Sequence, residues 1–167
     1  IVIQSERLDR YQSAFDTLRA RDLIFECFCS RRDVREAVSA AHTPPGHYPG
    51  TCLHLTDRQI RDRRVKQEDR GSHPDFRLRP ASPEWTVTDL GRGRFTGPVD
   101  SAVLQRGDGT FAYNLAVVVD DIAMGVDQVV RGDDLLSSSP IQAYLTRELG
   151  GTEPMYAHVP LVLGPTG

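Results

Sequence analysis

The stretch from Asp108 to Asp134, DGTFAYNLAVVVDDIAMGVDQVVRGDD, decides the fold of this chain. Tyr113 opens a first apolar run, and Arg131 closes a second one at Val-Val-Arg-Gly. The second run, Val126 to Arg131, has the composition of a buried β-strand. The first is ambiguous, because Ala116 to Val119 favour a strand while the same run also fits one face of a helix.

Arg131 marks a candidate ligand site at the carboxyl end of that predicted strand. A cation in such a place is costly unless an anion meets it, and a carboxylate is the natural partner. Gly132 lets backbone approach closely, and Asp133 and Asp134 begin a predicted helix. Ligands of open α/β sheets bind just beyond the carboxyl ends of strands. The pattern indicates either a site for an acidic small molecule, with Tyr113 nearby, or an internal Arg–Asp pair.

Composition bounds the class of protein. The chain has 167 residues, which is enough for one ordinary domain, with 39% hydrophobic and 26% charged residues. A net charge of −3 gives no global basic field for nucleic acid. No apolar run is long enough for a membrane span, and no signal-peptide pattern is present. Three cysteines, an odd number, argue against a secreted disulfide scaffold and favour metal binding or reduced thiols in the cytoplasm.

The cysteines form the second candidate site, as Cys27-x-Cys29 followed by Tyr48-x-x-x-Cys52. Two thiolates one residue apart can bind one metal ion from a tight turn, and a third from a Pro-Gly turn can complete its coordination. Zn²⁺ is the expected ion, held tetrahedrally. The fourth ligand stays open, with a histidine preferred chemically; the candidates are His42, His47, Tyr48 and His54. The alternative is three unligated cysteines, two of them in an apolar strand.

Caps and apolar spacing predict the remaining elements. The predicted helices are one from Ser5 to about Arg21, with the apolar stripe Leu8, Tyr11, Phe15 and Leu18, one capped by Ser30 and Asp33, and a polar one from Thr56 to about Arg70. A further helix has a Ser139/Gln142 capping box with Pro140 at its first position. The predicted strands lie at Leu23–Cys27, 76–79, 85–90 and 157–163, and a further short run at 101–106 completes a β-rich section. Two polar features are weak. The pair Asp120-Asp121 fits a solvated face as well as a magnesium site, and His158 is more typical of a satisfied half-buried histidine than of a catalytic one.

The residues resemble a known family. Asp108–Asp134, then the run LLSSSPIQ at 135–142 and HVPLVLGP at 158–165, resemble the second half of the catalytic domain of the class I glutamyl-tRNA synthetases. Within that family, CFCSRRD at 27–33 and YPGTC at 48–52 are similar to one branch, the glutamyl-queuosine tRNA(Asp) synthetases, which lack the anticodon-binding domain. The resemblance covers essentially the whole chain.

The resemblance implies site residues and partners. Cys27, Cys29, Tyr48 and Cys52 would hold Zn²⁺, with Tyr48 in place of the histidine preferred on chemistry alone. Tyr113 and Arg131 would bind the glutamate substrate, and no residue of this chain is assigned a catalytic role. ATP with Mg²⁺, glutamate and queuosine-bearing tRNA(Asp) would be the substrates of a cytoplasmic enzyme, expected to be a monomer with no membrane partner.

The resemblance also implies a fold. We expect an α/β, Rossmann-like class I synthetase domain, with Tyr113–Met124 helical, interrupted by inserted zinc-binding and β-rich sections. The expected parts are the end of the first Rossmann half (1–26), a zinc-binding insertion (27–71), a β-rich insertion (72–107) and the second Rossmann half (108–167). Ile1 begins mid-pattern, so we expect an internal portion that lies between the HIGH-like and KMSKS-like ATP motifs and is inactive alone.

Two other functions compete with this interpretation. One is an ordinary glutamyl-tRNA synthetase, against which the Tyr-x-x-x-Cys element argues. The other is a non-catalytic, zinc-stabilised RNA-binding module that uses the arginine-rich helix at 58–70. The complete parent sequence would separate them through the presence of both ATP motifs and the length of chain after the second motif.

Overall fold

A computed structural model of the chain describes residues 2–40, 47–162 and 164. The α-helices within these residues are α1 (Leu8–Ala20), α2 (Arg31–Ala40), α3 (Asp57–Glu68), α4 (Tyr113–Met124) and α5 (Ser139–Glu148). The strands are β1 (Ile24–Cys27), β2 (Asp75–Leu78), β3 (Glu84–Asp89), β4 (Gly93–Pro98), β5 (Val103–Gln105), β6 (Gln128–Gly132) and β7 (Met155–Val159). Short 3-10 helices cover Gln4–Glu6 and Asp133–Ser138.

These elements form two compact units, each built from two separate pieces of chain. The first combines Ile1–Ala81 with Asp100–Ala116, and the second combines Ser82–Val99 with Val117–Gly167. Strands of the section at 72–107 are therefore shared between two sheets, β2 and β5 in one and β3 and β4 in the other. The four-part division expected from the family resemblance stays a prediction.

The first unit is built on an antiparallel sheet in the order β1-β2-β5. Helix α1 contributes buried Tyr11, Phe15 and Leu18, and the Phe15 ring meets Phe76 of β2 edge-on at 5.4 Å between centroids. Most of the predicted apolar stripe of α1 is thus confirmed. Leu8 is the exception, since it lies at the first position of the helix with 55% of its surface exposed.

Side-chain caps fix the starts of α2 and α3 as their sequences predict. The Ser30 hydroxyl accepts from the Asp33 amide at 3.2 Å, and the Asp33 carboxylate accepts from the Ser30 amide at 2.7 Å. Thr56 and Gln59 make the same reciprocal pair at the start of α3. These contacts satisfy amides that have no intrahelical partner. Helix α3 buries no residue, so its polar sequence gives a surface helix.

The second unit contains a mixed sheet in the order β4-β3-β7-β6. Strands β3 and β4 form an antiparallel hairpin, whereas β7 runs parallel to both β3 and β6. Val87, Ala143 of α5 and Tyr156 form its buried cluster. The prediction of a buried strand ending at Arg131 is wrong in part, because β6 is the last strand of this sheet and Val130 is 62% exposed.

The ambiguous run after Tyr113 is helical. Helix α4 spans Tyr113–Met124, as the family resemblance implies, so packing in the structure outweighs the low intrinsic helix propensity of its β-branched residues. Leu115 and Val118 are buried, and Gly125 ends the helix with a positive φ of 67°. In the described part of the chain, no helix combines the length and the apolar character needed to cross a membrane.

Candidate functional site

The three cysteines lie together at one place in the first unit. Cys27 is the last residue of β1, Cys29 precedes α2, and Cys52 follows a turn in which Gly50 has a φ of 78°. Their sulfur atoms all lie within 4.8 Å of one another, and the Cys29 and Cys52 sulfurs are 3.6 Å apart. The prediction from their sequence spacing that the three thiols lie close together is therefore confirmed. Such a cluster is a candidate site for a metal ion.

The Tyr48 hydroxyl points at the same cluster. It lies 3.4 Å from the Cys27 sulfur and 3.9 Å from the Cys29 sulfur, and it accepts a hydrogen bond from the Cys52 amide at 2.9 Å. The tyrosine is buried, and the Arg77 guanidinium lies over its ring, 4.1 Å from the centroid. Asp100 accepts from the Tyr48 amide through both carboxylate oxygens at 3.1 Å. Backbone and ring are thus both held, so the hydroxyl has a fixed position.

Two of the distances in the cluster match those expected around a tetrahedral ion. In a tetrahedral zinc site the bonds from the ion are about 2.3 Å to sulfur and about 2.0 Å to oxygen. Two sulfur ligands then lie about 3.8 Å from each other, and a sulfur and an oxygen ligand lie about 3.5 Å from each other. The separations of 3.6 Å for Cys29 to Cys52 and 3.4 Å for Cys27 to Tyr48 are close to those values. Across residues 2–40, 47–162 and 164, no histidine or carboxylate joins the cysteine group, and His42 lies outside the described residues.

The pKa shifts of the residues in the cluster differ in direction. The hydrogen bond with Cys27, followed by that with Cys52, raises the pKa of Cys29. Burial, followed by the hydrogen bond with Cys27, raises the pKa of Tyr48. The hydrogen bonds with Cys27 and Cys29 lower the pKa of Cys52, whose sulfur also accepts from Arg63 Nη1 at 3.4 Å. The lowered pKa of Cys52 favours its thiolate form, and metal binding would have to displace protons from the other ligands.

Arg131 is held by four hydrogen bonds within the second unit. Its Nε donates to His158 Nε2 at 3.1 Å, and Nη1 donates to Gln142 Oε1 at 2.7 Å. Its Nη2 donates to the Ser139 hydroxyl at 2.7 Å and to the Leu135 carbonyl at 3.2 Å. None of these four acceptors is a carboxylate, and together they fix the orientation of the guanidinium.

These bonds also overturn the predicted capping box at α5. The helix begins at Ser139 with Ser138 as its N-cap, and no side-chain cap bond forms there. The Ser139 hydroxyl and the Gln142 amide, which a capping box would direct to backbone amides, both accept from Arg131 instead. A charged donor gives the stronger hydrogen bond, which accounts for the change of partner. Pro140, which the sequence placed at the first helical position, is the second residue of the helix.

Behind Arg131 lies a buried pair that the sequence did not predict. Asp89, at the end of β3, accepts from His158 Nδ1 at 2.7 Å, and both side chains have 0% of their surface exposed. The same carboxylate accepts from the amides of His158, Gly91 and Arg92. Burial alone would raise the pKa of Asp89, but the hydrogen bond with His158 and the three amides lower it. Asp89 is therefore a buried carboxylate anion.

The chain matches one family model over residues 1–167, described as tRNA synthetases class I (E and Q), catalytic domain. The chain belongs to this family. Membership agrees with the mixed α/β structure and with the resemblance seen in the sequence.

Curated relatives of this synthetase chain carry a more specific name. A protein of Nocardia farcinica is 52% identical over 167 residues, which are 100% of this chain and 52% of that protein. A protein of Cutibacterium acnes is 47% identical over 168 residues, which are 100% of this chain and 46% of that protein. Both are named glutamyl-Q tRNA(Asp) synthetase. The chain thus spans about half the length of the curated relatives it matches.

Solved structures support the fold of the synthetase domain. The glutamate-tRNA synthetase of Elizabethkingia anophelis superposes with a TM-score of 0.76 at 23% identity. The match covers 98% of this chain and 35% of that one. A glutamate tRNA ligase of Elizabethkingia meningosepticum gives a TM-score of 0.75 at 23% identity, covering 98% of this chain and 34% of that one. At this identity the likeness establishes the Rossmann-like class I fold only.

The other residues singled out in the synthetase sequence are Tyr113 and Asp134. Tyr113 is the first residue of α4, with 60% of its surface exposed. Asp134 lies in the 3-10 helix after β6, where its carboxylate is 2.5 Å from the position that a Cβ on Gly132 would take. The groups that approach Gly132 are the side chains of Asp134 and Leu161, whereas the sequence predicted a close approach of backbone. Binding of glutamate by Tyr113 and Arg131 stays a prediction.

Proposed function

We propose that the protein containing this chain activates glutamate with ATP and transfers it to queuosine at the wobble position of tRNA(Asp). The observation that carries the proposal is the 52% identity, over the whole chain, to the glutamyl-Q tRNA(Asp) synthetase of Nocardia farcinica. Family membership over residues 1–167 supports the class of reaction. The proposal applies to the whole protein, because the chain spans only half of such relatives. A cytoplasmic monomer is part of the same proposal, since tRNA and ATP are its substrates.

The reaction has two balanced steps. A glutamate carboxylate oxygen attacks the α-phosphorus of ATP, which forms glutamyl-adenylate and releases pyrophosphate, with Mg²⁺ on the phosphates. A hydroxyl of the queuosine cyclopentenediol then attacks the activated carbonyl, loses its proton and releases AMP. Both steps gain mainly from positioning and from stabilisation of developing charge. Residues that orient the amino acid therefore contribute directly to the rate.

Arg131 is our candidate for holding a carboxylate of glutamate in this reaction. Four hydrogen bonds fix its guanidinium, and none of their acceptors is a carboxylate. A cation oriented in advance binds an anion without a further ordering cost. Tyr113 is a second candidate, supported by the family resemblance and by its exposed position at the start of α4. Its hydroxyl would serve as a hydrogen-bond partner for the substrate.

Zinc is the metal that we assign to the cysteine cluster. Cys27, Cys29 and Cys52 would hold the ion through sulfur, and Tyr48 through its oxygen, which the match of two distances in the cluster to a tetrahedral site supports. An ion with four protein ligands leaves no open position for substrate, so it supplies structural cross-linking. It would tie the end of β1 to the Pro-Gly turn that carries Cys52.

A charging assay on the full-length parent protein tests the proposal. The assay supplies ATP, labelled glutamate, and tRNA(Asp) prepared with and without queuosine, with tRNA(Glu) in parallel. We expect label on the queuosine-bearing tRNA(Asp) only. Label on tRNA(Glu) would instead support an ordinary glutamyl-tRNA synthetase, a function also carried by a relative in Alkalilimnicola ehrlichii named Glutamate--tRNA ligase 1, 38% identical over 170 residues. Absence of label on every tRNA would favour the zinc-stabilised RNA-binding module.

A further inference from the structure

We infer that Asp89 and His158 act as positioning residues that set the orientation of the Arg131 guanidinium for a substrate carboxylate. The inference rests on the proposed role of Arg131 in glutamate binding and adds two residues to it. Neither Asp89 nor His158 is assigned contact with substrate. Their effect would pass through the Arg131 Nε atom, which is the atom that His158 contacts.

The three side chains form one continuous hydrogen-bonded series. Asp89 Oδ2 accepts from His158 Nδ1 at 2.7 Å, and His158 Nε2 accepts from Arg131 Nε at 3.1 Å. The series begins at two fully buried side chains and ends at the partly buried Arg131. Strand β7 provides His158 opposite Arg131 of β6 in the parallel register, so the backbone fixes this contact. Water, which would weaken such a series, is excluded from its inner part.

The series fixes the protonation of His158. An arginine nitrogen can only donate, so His158 Nε2 must accept and carries no proton. The Asp89 carboxylate can only accept, so the proton lies on Nδ1. Asp89 thus selects the one neutral tautomer that presents a lone pair to Arg131. A buried carboxylate is an effective means of holding that tautomer, because an unpaired anion there is costly.

The Nε contact supplies a restraint that the other contacts of Arg131 do not. Gln142 and Ser139 hold the two terminal nitrogens from helix α5, whereas His158 holds Nε from strand β7. Restraints on the two terminal nitrogens alone leave the Nε end of the planar group free to swing. Adding the third nitrogen fixes the plane, and the direction in which Nη1 can donate to a substrate carboxylate depends on that plane.

The variant Asp89→Asn tests the tautomer directly. Its amide oxygen would keep the hydrogen bonds from Gly91 and Arg92, which turns the NH₂ group toward His158 Nδ1. Nδ1 would then accept, and the histidine proton would move to Nε2. Two donors, Nε2–H and the Arg131 Nε–H, would face each other, and the guanidinium would be displaced. We expect the glutamate KM to rise about tenfold, with the KM for ATP unchanged.

A double-mutant cycle separates positioning from general damage. In the full-length protein, with tRNA(Asp) present throughout, glutamate-dependent exchange of pyrophosphate into ATP is measured for the wild type, Asp89→Asn, Arg131→Ala and the double variant. If Asp89 acts through Arg131, Asp89→Asn raises the glutamate KM in the wild-type background and changes it less than twofold in the Arg131→Ala background. An equal rise in both backgrounds overturns the inference.

The cycle also distinguishes the failure of the two proposals. If the protein charges queuosine-bearing tRNA(Asp) but Arg131→Ala leaves the glutamate KM unchanged, the positioning inference fails and the proposed reaction stands. If the protein charges no tRNA, the proposed function fails, and nitrogen NMR of ¹⁵N-histidine protein decides the inference alone. We expect His158 to carry its proton on Nδ1 in the wild type and on Nε2 in Asp89→Asn. An unchanged tautomer overturns the inference.

Two further variants guard against loss of folding. His158→Phe keeps a planar ring and removes both nitrogens, so it should reproduce the rise in glutamate KM if Asp89→Asn does not fold. Glu153→Gln is the matched control, since Glu153 accepts from Trp85 of β3 at 3.1 Å. It removes a carboxylate bonded to the same strand and should leave the glutamate KM unchanged. A rise in this control as large as in Asp89→Asn would overturn the inference.

Discussion

Arg64 and Glu26 face each other through two hydrogen bonds, Nε to Oε2 at 2.8 Å and Nη2 to Oε1 at 2.6 Å. This two-point ion pair joins α3 to β1, one residue before Cys27. Because α3 buries no residue, polar contacts such as this one carry much of its attachment. Arg64→Lys keeps the charge but loses the planar fork. We expect about fivefold faster amide exchange in α3, equivalent to about 1 kcal/mol of local opening.

Hydrogen–deuterium exchange with mass spectrometry measures that change peptide by peptide. The control is Arg32→Lys, because Arg32 and Glu36 pair across one helical turn of α2 with side chains 79% and 62% exposed. An exposed pair of this kind contributes little. We therefore expect unchanged exchange in α2. Equal effects of the two substitutions would show that the Arg64 pair does not anchor α3.

The cysteine cluster should bind about one zinc ion per chain, and Cys27→Ser should weaken that binding by at least about tenfold. The reason is the loss of one of three sulfur ligands that lie within 4.8 Å of one another. Metal content by mass spectrometry and competition with a chromophoric chelator measure the change. Equal metal content in the wild type and the variant would remove this assignment.

Tyr48→Phe tests the fourth ligand separately from the fold around it. The substitution keeps the ring that packs under Arg77 and removes only the hydroxyl near Cys27. We expect lower zinc affinity in the same chelator competition. His54→Gln is the control, because His54 lies near in sequence but outside the cysteine group. Unchanged affinity in Tyr48→Phe with a loss in His54→Gln would assign the fourth position to the histidine.

Arg131→Lys should raise the glutamate KM by about tenfold or more, since charge-assisted hydrogen bonds contribute about 1.5–3 kcal/mol each. Lysine keeps the positive charge but cannot reproduce contacts to His158, Gln142 and Ser139 from three nitrogens. Steady-state exchange kinetics with glutamate and with ATP measure the effect. An unchanged glutamate KM would show that charge alone, without orientation, satisfies the substrate.

Asp121 should make stability depend on pH in a defined direction. Burial, followed by the negative charge of Asp120, raises the pKa of Asp121, and Arg131 lowers it in part. A carboxyl whose pKa is raised by folding destabilises the fold wherever it is ionised, so the penalty is present at neutral pH and fades below the folded pKa. Asp121→Asn should therefore raise the thermal unfolding temperature at pH 7, and the gain should shrink toward pH 4. A gain that is independent of pH would contradict this cause.

Local signals in the sequence predicted much of this structure. Caps at Ser30 and Thr56 needed only neighbouring residues, and the cysteine cluster needed only spacing. The Ser139/Gln142 box failed because a residue outside its helix, Arg131, competed for the same side chains. Local rules describe the partners that a side chain has nearby, and a charged partner brought in by tertiary structure overrides them.

Local sequence signals could predict neither strand β4 nor the contact of Asp89 with His158. Gly93–Pro98 contains two glycines and a proline, which are depleted in strands, and pairing with β3 supplies its order. Asp89 meets His158 across 69 positions of sequence, so no local window contains both residues. The sequence does indicate a histidine whose nitrogens are satisfied, and the structure agrees. A search for acidic residues at strand ends would have found Asp89 as a candidate.

The parallel pairing of β3 with β7 bears on how the chain is made. The β3–β4 hairpin leaves the ribosome early, while the strand that covers its other side lies 69 positions after Asp89. At about 5–20 residues per second, the gap corresponds to several seconds of synthesis. Two of the hydrogen-bond partners of Asp89, the amides of Gly91 and Arg92, belong to its own turn and are available during that interval. The contact with His158 has to wait until β7 has been synthesised, so the buried pair is completed late.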